Sequence, residues 1–306
     1  MELNEIIEQR KAKRASLEAK GVSLYESVPL GRVDIIDALN NFQEGKKVNF
    51  CGRIMAKRSH GKAAFLDLKD CTGKIQLYFK EETVGSDKFQ LLEEMDIADI
   101  INVKGKLFKT RTGEPTVQVE EFIILVKALR PLPEKWHGLK DIELRYRQRY
   151  LDLITNDDVK NVFLIRSRII KALRNFLDGR GFMEVETPMM HLIPGGAAGR
   201  PFKTHHNEYS LDLYLRIAPE LYLKQLLVGG LDRVYEVNRS FRNEGVSTKH
   251  NPEFTMLEIY SAYANYEDMM NLVKELIIFI ARDVLGKAEF VYQDKTVDLT
   301  PPWQRV

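Results

Sequence analysis

The stretch from Arg233 to Tyr260 constrains this chain more than any other. Tyr235, Val237 and Phe241 recur at strand spacing in its first half, and Glu253 to Tyr260 reads as a second strand. Between them lie Asn243, Gly245, Ser247, Asn251 and Pro252, residues that favour turns and loops. The pattern predicts a hairpin with a polar tip. Alternate side chains of a strand share a face. Glu236, Asn238, Ser240 and Arg242 therefore fall on one side of the first strand, and Phe254, Met256, Glu258 and Tyr260 on one side of the second. Thr255, Leu257 and Ile259 take the other side, and Glu244 and His250 sit at the loop. An Arg fork suits a carboxylate or phosphate, an aromatic face suits a planar base, and a carboxylate suits an ammonium group. Those residue types suggest a site for a nucleotide and an amine. An ordinary hairpin with a polar tip is the other reading they allow.

A chain of 306 residues has room for about two domains. A hydrophobic content of 44% with 29% charged residues suits an ordinary soluble globular protein with real cores. The net charge is +2, so any nucleic-acid surface must be local rather than global. The two cysteines, Cys51 and Cys71, form no CxxC pair and imply neither a disulfide framework nor a zinc site. Both are expected to be half-buried strand residues in a reducing cytosol. The N-terminus lacks the apolar core of a signal peptide. The longest apolar run, Leu276 to Ala281, falls far short of the roughly 20 residues that span a bilayer. The expectation is a soluble, cytoplasmic chain with no membrane contact.

Four regions follow from the chain in order. Residues 1–45 form a helical extension, with Leu3, Ile6, Ile7 and Leu17 on a thin apolar stripe. Its basic run, Arg10 to Arg14, is either a solvated face or a contact for RNA phosphates. Residues 46–130 give five short strands with a helix near Ser86 to Met95 between the third and fourth, the order of an oligonucleotide-binding (OB) barrel. On its outer face lie Phe65, beside Asp67 and Lys69, and Gln76. Lys57 to Lys62 reads as a basic loop joining the first two strands. An outward aromatic beside a basic loop is either edge packing or a platform on which bases stack. Residues 131–155 are a linker, stiffened by Pro131 and Pro133, with a helical, basic stretch from Trp136 to Leu153 that packs between domains or touches RNA.

Residues 156–306 open with a long helix after Asn156, carrying Val162, Phe163, Ile165, Ile169, Leu173, Phe176 and Leu177 at helical spacing and ending at Gly179 and Gly181. A strand then runs to Pro188, and a small-residue loop covers 194–206. That loop has neither phosphate-loop signature. His205 and His206 point to opposite faces if extended, which argues against a metal site. Strand Leu211 to Ile217 precedes a helix opened by Pro219-Glu220, and Asn265 to Asp268 cap a last long helix to about Leu285, followed by a strand pair.

Phe241-Arg242-Asn243-Glu244-Gly245, followed by His250-Asn251-Pro252-Glu253-Phe254, resembles motif 2 of the class II aminoacyl-tRNA synthetases. Gly181-Phe-Met-Glu-Val-Glu-Thr-Pro188 resembles motif 1. With Ala218-Pro-Glu-Leu-Tyr-Leu-Lys224, and in this order, they are similar to the lysyl-tRNA synthetases of the bacterial type over essentially the whole chain. The resemblance implies an α+β fold, an OB-fold anticodon-binding β-barrel followed by the first part of a class II antiparallel-sheet catalytic domain. It also implies ATP-dependent activation of L-lysine to lysyl-adenylate and transfer to the 3′ end of tRNA(Lys), with Mg²⁺ accompanying ATP. Arg242 would bridge the lysine carboxylate and the α-phosphate; Glu244, His250, Asn251 and Phe254 would bind ATP. Glu220 would take the lysine α-amine, and Glu258 with Tyr260 its ε-ammonium. Phe65, Gln76 and Glu121 would read the anticodon, and motif 1 would form a homodimer interface. Gly199 stands where family members usually carry alanine. The family's glycine-rich motif 3, with an ATP-gripping Arg and acidic metal ligands, does not occur in this sequence, so the chain reads as the front portion of a longer protein and is expected to be inactive alone. Aspartyl and asparaginyl relatives share the barrel and motifs but need a pocket without paired acids, and a synthetase-like enzyme that attaches lysine to a protein lacks the barrel. A catalytically inactive tRNA-binding or regulatory paralogue is the alternative from another class.

Overall fold

The computed structural model describes residues 2–27, 30–133, 139–247 and 249–305. The chain divides into two compact units, Met1–Asp157 and Asp158–Val306. None of the described helices is long and apolar enough to cross a membrane.

The first unit runs α1 (Leu3–Ala19), α2 (Ile35–Asn40), β1 (Lys47–His60), β2 (Ala63–Lys69), β3 (Lys74–Lys80), α3 (Glu81–Val84), α4 (Ser86–Glu94), β4 (Ile100–Lys109) and β5 (Pro115–Val126). Its five strands close into a barrel in the order β1-β2-β3-β5-β4, with β3 and β5 parallel and the other pairs antiparallel. Closure leaves no open sheet edge. The alternation predicted from sequence is what fills it: Phe50, Ile54, Leu66, Leu68, Leu77, Phe79, Val103 and Val117 point inward and are wholly buried. Leu17 of α1 and Ile35 of α2 join the same core, so both N-terminal helices take part in the barrel's packing.

Several sequence expectations are corrected here. Lys57 to Lys62 is not a loop: β1 continues to His60, which pairs with Ala63, leaving only Gly61 and Lys62 in the turn. Gly61 takes a left-handed φ of 55°, as such two-residue turns require. Cys51 is half-buried in β1, but Cys71 is exposed in the turn after β2. In the basic run of α1, Arg10 is buried and donates to the Ala128 and Arg130 carbonyls, and Lys13 pairs with Asp96 at 2.7 Å. Those two cations hold the helix to the barrel instead of facing solvent. Lys127, fully buried, pairs with both Asp96 and Asp99, which supplies the compensation that a buried ammonium needs. The basic segment after the barrel forms two short helices, α5 (Ile142–Arg147) and α6 (Arg149–Thr155); the predicted helix's start at Trp136 lies outside the described residues. Buried Asp152 gathers Arg145 at 2.8 Å, Arg149, and the Asn156 amide at 2.6 Å, so two of the three arginines serve this local clamp.

The second unit contains α7 (Asp157–Asp178), β6 (Met183–Glu184), β7 (Met190–His191), β8 (Lys203–His206), β9 (Leu211–Leu215), α8 (Glu220–Val228), β10 (Arg233–Phe241), β11 (Glu253–Ser261), α9 (Tyr266–Leu285), β12 (Glu289–Tyr292) and β13 (Lys295–Asp298). Strands β10 and β11 pair antiparallel, β6 adds to β10 in parallel, and β7, β9 and β8 make a second antiparallel sheet. The strand expected to run to Pro188 pairs only over the two residues of β6. The N-terminal half of α7, periodic enough to suggest a buried helix, leaves Val162, Phe163 and Leu164 exposed, whereas Phe176 and Leu177 enter a core with Phe182, Tyr235 and Leu276. α9 is closed at both ends as its sequence predicts. The Asn265 side chain accepts from the Glu267 and Asp268 amides, Asp268 returns a bond to Asn265, and Gly286 turns left-handed.

The barrel closes most tightly at Gly105, beside the register shift between β4 and β5, where an added Cβ would lie 2.1 Å from the Gln118 carbonyl oxygen. Gly105→Ala is therefore expected to lower stability by about 1–3 kcal/mol or more, because backbone rather than a mobile side chain must yield. Urea unfolding followed by far-UV circular dichroism measures it.

Candidate active site and nucleic-acid face

The register of β10 and β11 sets Ser240 against Phe254, Asn238 against Met256, Glu236 against Glu258 and Val234 against Tyr260. Alternate residues on the other face, including Tyr235, Val237, Leu257 and Ile259, pack on the hydrophobic core. Sliding the pair by one residue would turn those apolar groups to the polar side, so the core dictates the register and the register assembles the polar face. The face predicted from alternation is the face that forms.

Its centre is a buried ion pair. Arg216, just beyond β9, meets Glu236 at 2.7 Å, and both side chains are 4% exposed. The remaining polar atoms are well occupied. Arg216 Nε donates to the Arg239 carbonyl at 2.7 Å, and Nη1 to the Thr187 carbonyl and hydroxyl at 3.1 and 3.2 Å. Thr187 Oγ1 in turn donates to Glu236 Oε2 at 2.7 Å. Sequence reasoning missed Arg216 and Thr187. Alternation placed Glu236 on the polar face, but nothing local shows which cation answers it from 20 positions away.

Beside this pair is a pocket of acids. Tyr260 donates to Glu258 at 3.0 Å. Burial raises the Glu258 carboxyl above its ordinary range, and the charges of Glu220 and Glu236 add to that; the Tyr260 bond and Arg216 oppose it. Burial, then the neighbouring Glu258, likewise pushes the Tyr260 phenol up. Glu220 opens α8 and pairs with Lys224 at 2.6 Å. Gly196, at a φ of 88°, passes so close that a Cβ there would sit 2.8 Å from Glu220 Cβ. A half-buried acidic pocket of this kind favours a cation, which would relieve the repulsion between its carboxylates.

Arg242 follows β10, and its guanidinium lies 5.3 Å from the Phe254 ring centroid. Its Nε is buried and finds no acceptor among the described residues. A Cβ on Gly199 would come within 3.3 Å of Arg242 Cδ, so this glycine lies directly against the arginine. The Arg242 amide donates to the Pro252 carbonyl at 2.9 Å, which closes the base of the hairpin tip. The Asn243 amide donates to the Arg200 carbonyl at 2.7 Å, and Glu244 Oε1 accepts from the Arg200 amide at 3.2 Å. At the tip, His250 is exposed and shares a 2.8 Å hydrogen bond with the Ser247 hydroxyl; Asn251 is exposed as well. The chain thus gathers Glu220, Glu258 and Tyr260 in the acidic pocket, sets Arg242 with Phe254, and leaves Glu244, His250 and Asn251 on the open tip. His205 and His206 lie in β8, with His205 bonded to Asp212 at 3.0 Å. Among the described residues, no three or more His, Cys, Asp or Glu are grouped as metal ligands.

The barrel carries its own distinctive face. Phe65 stacks on Tyr78 with ring centroids 4.8 Å apart, and Phe108 lies 6.1 Å beyond Tyr78. Gln76 adjoins this row, taking a bond from the Thr116 hydroxyl at 3.1 Å and donating to Glu114 at 3.3 Å. Glu121 is elsewhere: it pairs with Lys104 across β4 and β5 at 3.2 Å. The carboxylate that meets Gln76 is Glu114. A row of rings flanked by amide and carboxylate groups can stack bases and bond their edges.

Residues 141–306 match the family described as tRNA synthetases class II (D, K and N), and residues 48–125 match the OB-fold nucleic acid binding domain. A lysine–tRNA ligase of Pelotomaculum thermopropionicum is 58% identical over 311 residues, covering 100% of this chain and 61% of the relative. That of Carboxydothermus hydrogenoformans is 56% identical over 307 residues, covering 100% and 63%. For Moorella thermoacetica the figures are 60% over 263 residues, 86% and 54%. The chain therefore spans less than two thirds of the length of these curated relatives. With the hairpin and its arginine, the acidic pocket and the family match in agreement, the chain belongs to the class II tRNA synthetases (D, K and N) and carries an OB-fold nucleic acid binding domain ahead of its synthetase domain.

Proposed function

We propose that the whole protein to which this chain belongs is a lysine–tRNA ligase. The observation that carries the choice of amino acid is the pocket of Glu258, Tyr260 and Glu220, with Glu236 behind it. Within a family that handles aspartate, lysine and asparagine, a cluster of carboxylates repels an anionic side chain and gives an amide no countercharge, whereas it stabilises an ammonium. Glu220 takes the α-amine, and Glu258 with Tyr260 takes the ε-ammonium.

The reaction has two steps. A lysine carboxylate oxygen attacks the α-phosphorus of ATP, the bond to the bridging oxygen breaks, and pyrophosphate leaves with that electron pair. A terminal ribose hydroxyl of tRNA(Lys) then attacks the lysyl carbonyl, AMP leaves, and the acyl group is transferred to the tRNA 3′ end. Neither step needs a covalent enzyme intermediate, so positioning and charge stabilisation carry the rate. Arg242, with its unoccupied buried Nε donor, bridges the lysine carboxylate and the α-phosphate as charge moves between them. Phe254 offers its ring to the adenine, Glu244 accepts from the adenine amino group, Asn251 lies beside the nucleotide, and His250 reaches the outer phosphates. Mg²⁺ enters with ATP as part of the substrate; the described residues of this chain supply no cluster of ligands for a resident ion.

The barrel holds the anticodon, with bases stacking on Phe65 and Tyr78 while Gln76 and Glu114 meet base edges. Exposed Val162, Phe163 and Leu164 on α7 support a homodimer formed through the motif 1 region, and the cytoplasm is the location this chemistry serves.

The test is lysine-dependent exchange between pyrophosphate and ATP, measured on the full-length protein, with aspartate and asparagine as inactive controls. Glu258→Gln is expected to lower kcat/KM for lysine by about 100-fold or more, since a desolvated ammonium loses its countercharge. A variant with wild-type lysine kinetics would remove Glu258 from the pocket. The pH profile has a definite sign. Lysine binds the Glu258 carboxylate, whose proton affinity is raised, so kcat/KM for lysine should fall on acidification from a pH above the usual carboxylate range. Phe65→Ala is expected to weaken tRNA binding by about 1–3 kcal/mol while leaving lysine–ATP exchange intact. A filter-binding titration beside the exchange assay separates those two effects.

A further inference from the structure

Arg216 does more than neutralise Glu236. Its backbone amide donates to the Met189 carbonyl at 2.9 Å, and its own carbonyl accepts from the Phe241 amide at 2.9 Å. Its side chain ties the Arg239 carbonyl, Thr187 and Glu236 together. One residue therefore fastens the segment that leads through Ile217, Ala218 and Pro219 into Glu220 onto the end of β10 that leads into Arg242. Directly across the hairpin from Glu236 stands Glu258. We propose that Arg216, held by Glu236 and Thr187, is a positioning residue for lysine: it fixes the segment that carries Glu220 and sets the electrostatic surroundings of Glu258 from behind. This rests on the lysine–tRNA ligase reading above.

A buried pair of this kind is weak evidence of stabilisation, because desolvation offsets much of its attraction. Position is what marks it out. A well-packed apolar pair could fill the same space, but it would leave Glu258 facing Glu220 without a nearby cation on the β10 side. The groups bearing on Glu258 are Glu236 from β10, Arg216 beyond β9, Glu220 from α8 with its partner Lys224, and Tyr260 on its own strand. His191 of β7 feels the charges of the same Arg216 and Glu236; burial lowers its proton affinity below the ordinary value, and its bond at the Pro188 carbonyl opposes that. Arg216 is thus the cation that opposes the surrounding acids from within the fold.

Steady-state exchange kinetics on the full-length protein across pH test this, using Arg216→Met, Arg216→Lys, Glu236→Gln and the double variant Arg216→Met/Glu236→Gln. Arg216→Met leaves Glu236 unpaired beside Glu258, so KM for lysine should rise about tenfold or more while KM for ATP changes far less. The acid limb of kcat/KM for lysine should move to higher pH. Arg216→Lys should restore part of both, and the double variant, which removes both charges, should return the acid limb towards wild type. Glu236→Gln removes an acid facing Glu258 and should move that limb the other way, to lower pH. If Arg216→Met does not fold, the Lys and Gln variants carry the test. Unchanged lysine KM and acid limb in the folded variants, or equal loss for lysine and ATP, overturns the inference. Absence of lysine-dependent exchange in the unaltered protein overturns the ligase reading instead, so the two failures are distinct.

Discussion

Two carboxylates set opposite each other on one face of an antiparallel pair repel, and burial makes that repulsion stronger. Glu236 and Glu258 stand in that relation, and the second unit is arranged so that it can be tolerated. Arg216 and Thr187 saturate Glu236 from one side, and among the described residues Glu258 has only the Tyr260 hydroxyl. One carboxylate is satisfied within the fold, and the other remains short of positive charge. That shortfall suits it to a cation. The strain of keeping Glu258 under-compensated is sustained by the apolar back of the hairpin, where Tyr235, Val237, Leu257 and Ile259 pack on the core and prevent the register from slipping.

The barrel solves a different problem with the same alternation. Its inward residues close a dry core, to which the two N-terminal helices add Leu17 and Ile35. Its outward residues are then free to be chosen for recognition. The three rings of Phe65, Tyr78 and Phe108 lie outside the core as one row, an arrangement on which planar bases can stack. The basic residues of this unit are less available than their number suggests, because Arg10, Lys13, Lys57 and Lys127 are bound to carbonyls and carboxylates of the unit itself. The low net charge and the local character of the binding face are consistent with each other.

Much of this was legible before any coordinates. The strand order of the barrel, the capped helix ending at Gly286 and the composition of the hairpin's polar face all follow from period-two and helical patterns together with turn chemistry. The errors have a common origin. Lys57 to Lys62 was expected to loop because it is polar, yet a two-residue turn at Gly61 extends both strands through it. The contact of Gln76 with Glu114 has no local signal, because the two lie 38 positions apart and meet only when β3 pairs with β5. The half-exposed start of α7 has the spacing of a buried helix, and spacing alone does not say what covers a face.

The division between sequence and structure follows the range of the forces. Alternation, caps and turn residues act over a few positions, so the sequence by itself determined which elements form, which face of each is polar, and that an arginine, an aromatic ring and several acids lie on the hairpin. What only tertiary structure decided are pairings between residues distant in the chain: Arg216 with Glu236 and Thr187, Gln76 with Glu114, and Arg10 with the barrel's exit. A buried charge takes whichever partner the packing brings to it, and that partner leaves no local mark in the sequence.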